Sequence, residues 1–164
     1  MTYGTIKHFD IANGPGCRVS LFVSGCTNDC PGCFNEVAQD FEYGEPFTDE
    51  TLNYILELLD NPNIAGLSIL GGDPFHWRNI DTVTHICEVV RERFGDDKTI
   101  WAWSGYLYRE LQHLDIMQHL DVLVDGPFVE RLKDLTLPYA GSSNQRVIDV
   151  QVSQRARTVV LWVR

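Results

Sequence analysis

The sequence lacks the features that would tie a protein to a membrane, a secretory route or nucleic acid. No run approaches the ~20 apolar residues needed to cross a bilayer, and residues 1–8 contain no apolar stretch typical of a signal peptide. Basic residues are scarce in the first 77 positions, which hold only Lys7 and Arg18 against eleven acidic residues. Because nucleic-acid binding depends on Lys and Arg contacts with phosphates, we expect no nucleic-acid partner, no membrane association and no export.

Cysteine is also sparse, and its distribution is uneven. Of five cysteines in 164 residues, three lie close together at Cys26, Cys30 and Cys33, which does not make a disulfide framework. The residues between them include Asn, Asp, Pro and Gly, which favour a loop that can turn three sulfur atoms toward one point. We interpret this loop as a metal centre. Such a centre needs a reducing compartment, so we expect a cytoplasmic protein.

The number of clustered cysteines limits the kind of centre. A structural zinc site has four ligands, and an electron-carrying 4Fe-4S cluster has four thiolates, one for each iron. Three thiolates would leave one iron of a cluster open to a substrate or cofactor. A zinc site and buried or reactive thiols remain as alternatives. Cys87 lies on the apolar stripe of a predicted helix, whereas Cys17 is either a buried strand residue or a thiol near the cluster.

Hydrophobic periodicity predicts strands that alternate with helices, which is typical of an α/β fold with a mostly parallel sheet. Thr48 is a candidate N-cap for the first helix, and Gly95 a candidate terminator of the second. The chain is expected to form one domain over residues 1–164, with a core at about 3–147 and a two-stranded extension at 148–164. Strands are predicted at 18–23, 66–70, 99–103, 121–124, 147–152 and 158–163, and helices at 49–59, 81–94 and 107–120.

Each of the first four predicted strands ends in a motif. The cysteine loop follows the first strand, Gly-Gly-Asp-Pro at 71–74 the second, Trp-Ser-Gly-Tyr at 103–106 the third and Asp-Gly-Pro-Phe at 125–128 the fourth. Ligands bind at the carboxyl ends of parallel strands, so these motifs are expected to share one site. Taken alone, Gly-Gly-Asp-Pro indicates no more than a turn.

These motifs together resemble a known family. The C-x3-C-x2-C spacing is similar to that of the radical S-adenosylmethionine enzymes. Within them, the chain resembles the activating proteins of the anaerobic ribonucleoside-triphosphate reductase over about residues 3–147. The family tends to have Arg at the position of Ala140, and it mostly carries Tyr at the position of Phe34. The resemblance rests on residues 10–16, 22–26, 71–74, 103–106, 124–128 and 141–145.

The resemblance implies a fold and two cofactors. The fold is a shortened, incomplete (β/α) barrel of the radical S-adenosylmethionine type. A 4Fe-4S cluster would have three cysteine ligands and one open iron, and S-adenosylmethionine would bind beside it. The segment around the third cysteine would contact the adenine, and the Gly-Gly-Asp segment the methionyl amino group, with Asp73 in the position of a family Glu. The implied ligands are Cys26, Cys30 and Cys33, and the implied S-adenosylmethionine contacts are Gly32, Cys33, Phe34, Gly71, Gly72 and Asp73.

The resemblance also implies an activity and two partners. The reduced cluster would cleave S-adenosylmethionine, and the resulting 5'-deoxyadenosyl radical would take hydrogen from a glycine of the reductase large subunit. A one-electron donor such as a flavodoxin-type protein would reduce the cluster. Activation of another glycyl radical enzyme, or another small radical enzyme, is the nearest alternative. A non-enzymatic iron-sulfur or zinc-binding protein is the alternative of a different class.

Overall fold

A computed structural model describes residues 1–163 as an α/β fold. Its seven strands form one open, mixed sheet in the order β3-β1-β2-β4-β5-β6-β7. No helix of the described residues is long and apolar enough to cross a membrane. The strands are β1 Thr2–Asp10, β2 Cys17–Val23, β3 Glu45–Pro46, β4 Ile64–Gly71, β5 Thr99–Trp103, β6 Val122–Asp125 and β7 Arg146–Asp149, and the helices are α1 Asp49–Leu59, α2 Ile80–Phe94, α3 Tyr108–Leu111 and α4 Val150–Ala156.

The centre of the sheet is parallel, as the alternation of strands and helices predicts. β2, β4, β5 and β6 pair in parallel, whereas β1 and β7 run antiparallel to β2 and β6. The carboxyl ends of the four parallel strands therefore lie along one edge. All four motif-bearing loops begin at that edge.

Both long helices follow from local sequence. The Thr48 side chain accepts a hydrogen bond from the backbone N–H of Thr51 and caps α1, whose bounds are those predicted. α2 ends at Gly95, which has a φ of 55° that favours glycine. Each helix buries one apolar stripe. The buried residues are Leu52, Ile55, Leu56 and Leu59 in α1 and Val83, Ile86, Cys87 and Val90 in α2.

The two faces of β2 differ in chemistry. Val19, Leu21 and Val23 are fully buried in the apolar core. Arg18, whose side chain points to the opposite face because side chains alternate along a strand, is also fully buried. Its guanidinium donates to the Ser68 hydroxyl at 2.7 Å and to the Leu67 and Thr99 carbonyls. The second face is therefore polar even where no water reaches it.

The predicted helix at 107–120 is wrong in its length. The structure has the short helix α3, an extended residue at Leu114 and a 3-10 turn over Asp115–Gln118. The break allows the consecutive residues Ile116 and Met117 both to be fully buried. A continuous helix would separate their directions by about 100°.

Both ends of the chain also differ from the prediction. β1 was not predicted, because most of its residues are polar or exposed and show no regular alternation. The expected two-stranded extension is wrong: β7 ends at Asp149, whose carboxylate accepts from the Val152 N–H at 2.9 Å and begins α4. Within the predicted strand at 158–163, Leu161 forms one antiparallel bridge with Ile148.

Candidate metal centre

The cysteine loop leaves β2 at Val23 and reverses direction through residues in the left-handed region of backbone space. Gly25 has a φ of 95° and Gly32 a φ of 69°, which glycine adopts without strain. The start of the loop is fixed by backbone bonds from Gly25 N to the Ala38 carbonyl at 2.7 Å and from Cys26 N to the Gln39 carbonyl at 3.1 Å. The loop is thus held to the sheet on its amino-terminal side.

The loop turns three thiols toward one space. Cys26, Cys30 and Cys33 all line a cavity of about 810 Å³ at the carboxyl ends of the parallel strands. Two of the sulfur atoms accept a hydrogen bond from a backbone N–H. Asn28 donates to Cys26 at 3.4 Å and Asn35 donates to Cys33 at 3.5 Å. Such hydrogen bonds favour the thiolate form and tune iron-sulfur centres.

Two of the thiols, those of Cys26 and Cys30, are poor acids without a bound cation. Burial raises the pKa of Cys26 to about 11, although the N–H of Asn28 acts in the opposite direction. Burial likewise raises the pKa of Cys30, against the N–H of Phe128. A metal ion would have to displace the protons, because thiolates are the ligands that metals bind. Three soft sulfur donors suit iron-sulfur chemistry.

Among residues 1–163, no three His, Cys, Asp or Glu side chains come close enough together to hold one metal ion. In a 4Fe-4S cluster each thiolate binds a different iron.

The other two cysteines lie away from this cavity. Cys17 begins β2, at the opposite end of the strand from the loop, and packs partly against the core. Cys87 is fully buried in α2. Neither residue lines the cavity. Cys17 is therefore a strand residue that packs partly against the core, and not a thiol near the cysteine loop.

The Gly-Gly pair at the end of β4 also lines the cavity, and it touches the cysteine loop from behind. A Cβ on Gly71 would lie 2.4 Å from the Val23 carbonyl oxygen, and one on Gly72 would lie 2.6 Å from the Gly25 carbonyl oxygen. Both contacts are with backbone, which has little freedom to move. These glycines are therefore needed for the close approach of two strand ends, whatever binds beside them.

Asp73 is brought to the same region, but its carboxylate is buried behind the cavity wall. The residue is 1% exposed and is not among those that line the cavity. Its oxygens accept hydrogen bonds from the backbone of Phe75 and Gly105, both at 3.0 Å, from the Ser104 hydroxyl, and from the Asn28 amide at 2.8 Å. Burial raises the pKa of Asp73, and these donors oppose the shift.

Only some of the residues around the third cysteine line the cavity. Phe34 is 59% exposed and lines the cavity. Its ring packs against Phe128 with centroids 4.8 Å apart, and the Lys133 ammonium lies 4.9 Å from its centroid. Gly32 faces Glu130, and it is not one of the cavity-lining residues. Cys33 and Phe34 are thus the members of this segment that reach the cavity.

Sequence reasoning missed several residues that shape the site. Asn28 and Ser104 line the cavity and bond to Asp73. Asn79 is buried, and its amide donates to the carbonyls of Ser24, Gly25 and Asp73. The signal for Asn28 is its place between two cysteines. The signal for Asn79 is weak, because it precedes a helix but does not cap it with its side chain.

Comparisons with known proteins identify the family of the chain. A family described as "4Fe-4S single cluster domain" matches residues 12–148. The chain is 40% identical over 151 residues to the anaerobic ribonucleoside-triphosphate reductase-activating protein of Escherichia coli K12, covering 90% of this chain and 97% of that one. It is 37% identical over 147 residues to the protein of that name from Enterobacteria phage T4, covering 90% and 93%, and 38% identical over 149 residues to that of Vibrio cholerae, covering 88% and 96%. The chain therefore belongs to the family of anaerobic ribonucleoside-triphosphate reductase-activating proteins, and residues 12–148 are a 4Fe-4S single cluster domain.

Proposed function

We propose that this protein is the activating enzyme of an anaerobic ribonucleoside-triphosphate reductase. The names of its relatives give the partner. The observation that carries the proposal is the set of three thiols on one cavity at the carboxyl ends of parallel strands, two of them with a backbone N–H donor. That arrangement suits a cluster that must leave room for a second small molecule.

Cys26, Cys30 and Cys33 are the proposed ligands of a 4Fe-4S cluster with one open iron, and S-adenosylmethionine is the proposed second cofactor. When bound, the reduced cluster supplies one electron that cleaves S-adenosylmethionine to methionine and a 5'-deoxyadenosyl radical, which takes a hydrogen atom from a glycine of the reductase. The cavity of about 810 Å³ is large enough for a cofactor of this size.

The protein's own residues bind and orient the cofactor. We assign the methionyl end to the Gly71–Gly72 strand end, where absent side chains let backbone groups approach a ligand. The adenine is assigned to the segment of Gly32, Cys33 and Phe34, in which the exposed Phe34 ring provides a flat apolar surface. Asp73 belongs to the same site, behind the wall of the cavity.

The proposed architecture is a shortened, incomplete barrel that forms a single radical S-adenosylmethionine domain. Its support is the open sheet with four parallel strands and with all four motifs at one edge. An open sheet leaves the cavity accessible from one side, which a polypeptide substrate requires. The reductase large subunit must present a glycine there.

The remaining partners and the compartment are also proposals. The electron would come from a one-electron donor such as a flavodoxin-type protein, in a reducing cytoplasm that preserves an oxygen-sensitive cluster. The acidic balance of residues 1–77 argues against nucleic acid as a partner.

The test is anaerobic reconstitution with iron and sulfide, followed by mixing with reductant, S-adenosylmethionine and the matching reductase. We expect 5'-deoxyadenosine, methionine and an electron paramagnetic resonance doublet from a glycyl radical on the reductase. A reductase whose target glycine is replaced by Ala is the control, and it should give no doublet. Cofactor cleavage without a radical on the reductase would refute the partner. A failure of cleavage under every reducing condition, or zinc without sulfide in the purified protein, would refute the enzyme class.

A further inference from the structure

The Asp73 carboxylate connects three segments that meet behind the cavity. Asn28 comes from the cysteine loop, Phe75 from the turn after β4, and Ser104 with Gly105 from the end of β5. All four donor groups are uncharged. Two of them are backbone N–H groups on different oxygen atoms, so both oxygens are occupied. The carboxylate therefore holds the three segments together.

A short path of hydrogen bonds leads from this carboxylate to a cluster thiol. The Asn28 side-chain amide donates to Asp73 at 2.8 Å, and the Asn28 backbone N–H donates to the Cys26 sulfur at 3.4 Å. Gly105 packs closely against the Asn28 side chain, since a Cβ at Gly105 would lie 2.1 Å from the Asn28 amide nitrogen. Asn28 is thus held between Gly105 and Asp73, and its backbone N–H is held toward Cys26.

The same geometry keeps the carboxylate from a ligand in the cavity. Asp73 is 1% exposed, whereas Asn28, Ser104 and Gly105 line the cavity in front of it. A direct contact with a cofactor amino group would require at least one of the present donors to leave. Leaving a buried donor without a partner costs about 1–3 kcal/mol in general.

We propose that Asp73 is a positioning residue that acts on the cofactor site through Asn28, Ser104 and Gly105, fixing the cysteine loop against the neighbouring strand end instead of touching the cofactor. The inference rests on the proposed function for the identity of the site. Its structural content, the anchoring of Cys26, holds for the chain with or without a cluster.

Thiol reactivity in the full-length chain before reconstitution tests the anchoring directly. Asp73→Asn puts an amide donor against donors in either orientation of the new side chain, so the loop should loosen. We expect iodoacetamide to alkylate Cys26 about tenfold faster, because a loosened loop exposes a sulfur atom that is now only partly accessible; the factor corresponds to one lost hydrogen bond to a charged group. Asn28→Ala, which keeps the carboxylate, should give a similar increase. Cys17 serves as an internal reference, because it lies at the far end of β2.

A double variant shows whether Asp73 and Asn28 act on Cys26 through one path or independently. If Asp73 acts through Asn28, the variant Asp73→Asn with Asn28→Ala should alkylate within about twofold of Asp73→Asn alone. Asp121→Asn is the matched control, since Asp121 also accepts a β5 backbone N–H, from Ile100 at 2.7 Å, but at the opposite edge of the sheet. It should lower the melting temperature and leave Cys26 reactivity unchanged.

The reconstituted protein allows a second measurement, which a general loss of stability would not change. The line shape of the reduced-cluster electron paramagnetic resonance signal should change in Asp73→Asn and Asn28→Ala, and it should stay that of the wild type in Asp121→Asn. The inference is overturned if Asp73→Asn keeps wild-type Cys26 reactivity and line shape but loses S-adenosylmethionine affinity, because direct contact would explain that result. A wild-type chain that takes up no iron and sulfide would refute the proposed function, and the alkylation rates would still decide whether Asp73 anchors the loop.

Discussion

Two carboxylates at opposite edges of the parallel sheet, Asp121 and Asp73, have different partners. At the amino edge, Asp121 accepts the Ile100 N–H and forms an ion pair with Arg91, which also donates to three backbone carbonyls. At the carboxyl edge, Asp73 has four uncharged donor groups. Asp125, at the carboxyl edge, is fully buried and forms an ion pair with Arg146, so the contrast is between Asp121 and Asp73 and not between all carboxylates of the two edges. The ion-paired Asp121 serves the fold, and Asp73, whose donors are uncharged, holds loops in place beside the cavity.

The largest expected difference between the edges concerns the cysteines. Replacing Cys26, Cys30 or Cys33 by Ala should abolish a stable cluster and all activity, because each proposed ligand holds a different iron. Cys17→Ala, at the amino edge, should retain both. Iron and sulfide analysis after anaerobic reconstitution measures the outcome. If Cys17→Ala lost the cluster while Cys30→Ala kept it, the ligand assignment would be wrong.

A glycine substitution at each edge gives the next largest effect. Gly72→Ala places a Cβ 2.6 Å from the Gly25 carbonyl oxygen and 2.8 Å from that of Ala38, so the cysteine loop must shift. We expect a loss of about 1–3 kcal/mol in unfolding free energy, as in other overpacked sites, together with weaker cluster retention and weaker S-adenosylmethionine binding.

Gly95→Ala is the counterpart at the amino edge. No atom lies within 4 Å of its Cβ position, and only its φ of 55° is unfavourable. It should lower stability and keep the cluster. Chemical denaturation and iron content on the same samples separate the two outcomes. Equal iron retention in both variants would mean that Gly72 does not support the loop.

Local patterns in the sequence account for one part of this molecule. α1 could be predicted to the residue, because its apolar spacing, its Thr48 cap and its burial agree. The shared site at the strand ends could be predicted as well, since parallel strands bring their carboxyl ends together. These features depend on neighbours in the chain or on a general rule of topology.

Contacts between distant segments account for what the sequence did not show. Asn28 and Asp73 are 45 positions apart, and Ser104 is 31 positions beyond Asp73. No pattern in one chain reveals which donor a buried carboxylate will meet. The prediction for the C-terminal residues was wrong for a local reason. The alternation of apolar residues favoured a strand, whereas Asp149 caps the start of a helix.

A smaller effect, confined to stability, is expected from Arg91→Ala. Arg91 joins α2 to the His119, Gly95 and Lys98 carbonyls and to Asp121. Because the side chain is partly exposed, we expect a loss of about 1–2 kcal/mol in unfolding free energy. Cluster content and S-adenosylmethionine affinity should remain those of the wild type. A fall in affinity that matched the fall in stability would erase the distinction between the two edges.

The smallest expected effect concerns Asp10, another buried carboxylate, which lies opposite Arg18 in the register of β1 and β2, near the amino edge. Burial alone would raise the pKa of Asp10, but the nearby Ser20 hydroxyl, the hydrogen bonds from Asn13 and Ala12 and the charge of Lys7 outweigh it and hold the pKa below the usual 3.8. An acid with a lowered folded pKa adds stability above its unfolded pKa, and that stability is lost as the pH falls through the folded value.

Asp10→Asn should therefore melt below the wild type at pH above about 5, and the difference should shrink below about pH 4. Asp97→Asn, at an exposed position, is the control for the loss of one carboxylate. Asp73 should behave with the opposite sign, since burial raises its pKa: its ionisation costs stability as the pH rises above its unfolded pKa. Melting temperatures of the metal-free variants between about pH 3 and pH 7 measure both trends. If the effects of Asp10 and Asp73 on melting temperature changed with pH in the same direction, the two carboxylates would not differ in the way proposed. Hydrogen bonds in its turn favour the ionised form of Asp10, whereas burial at the cavity disfavours that of Asp73.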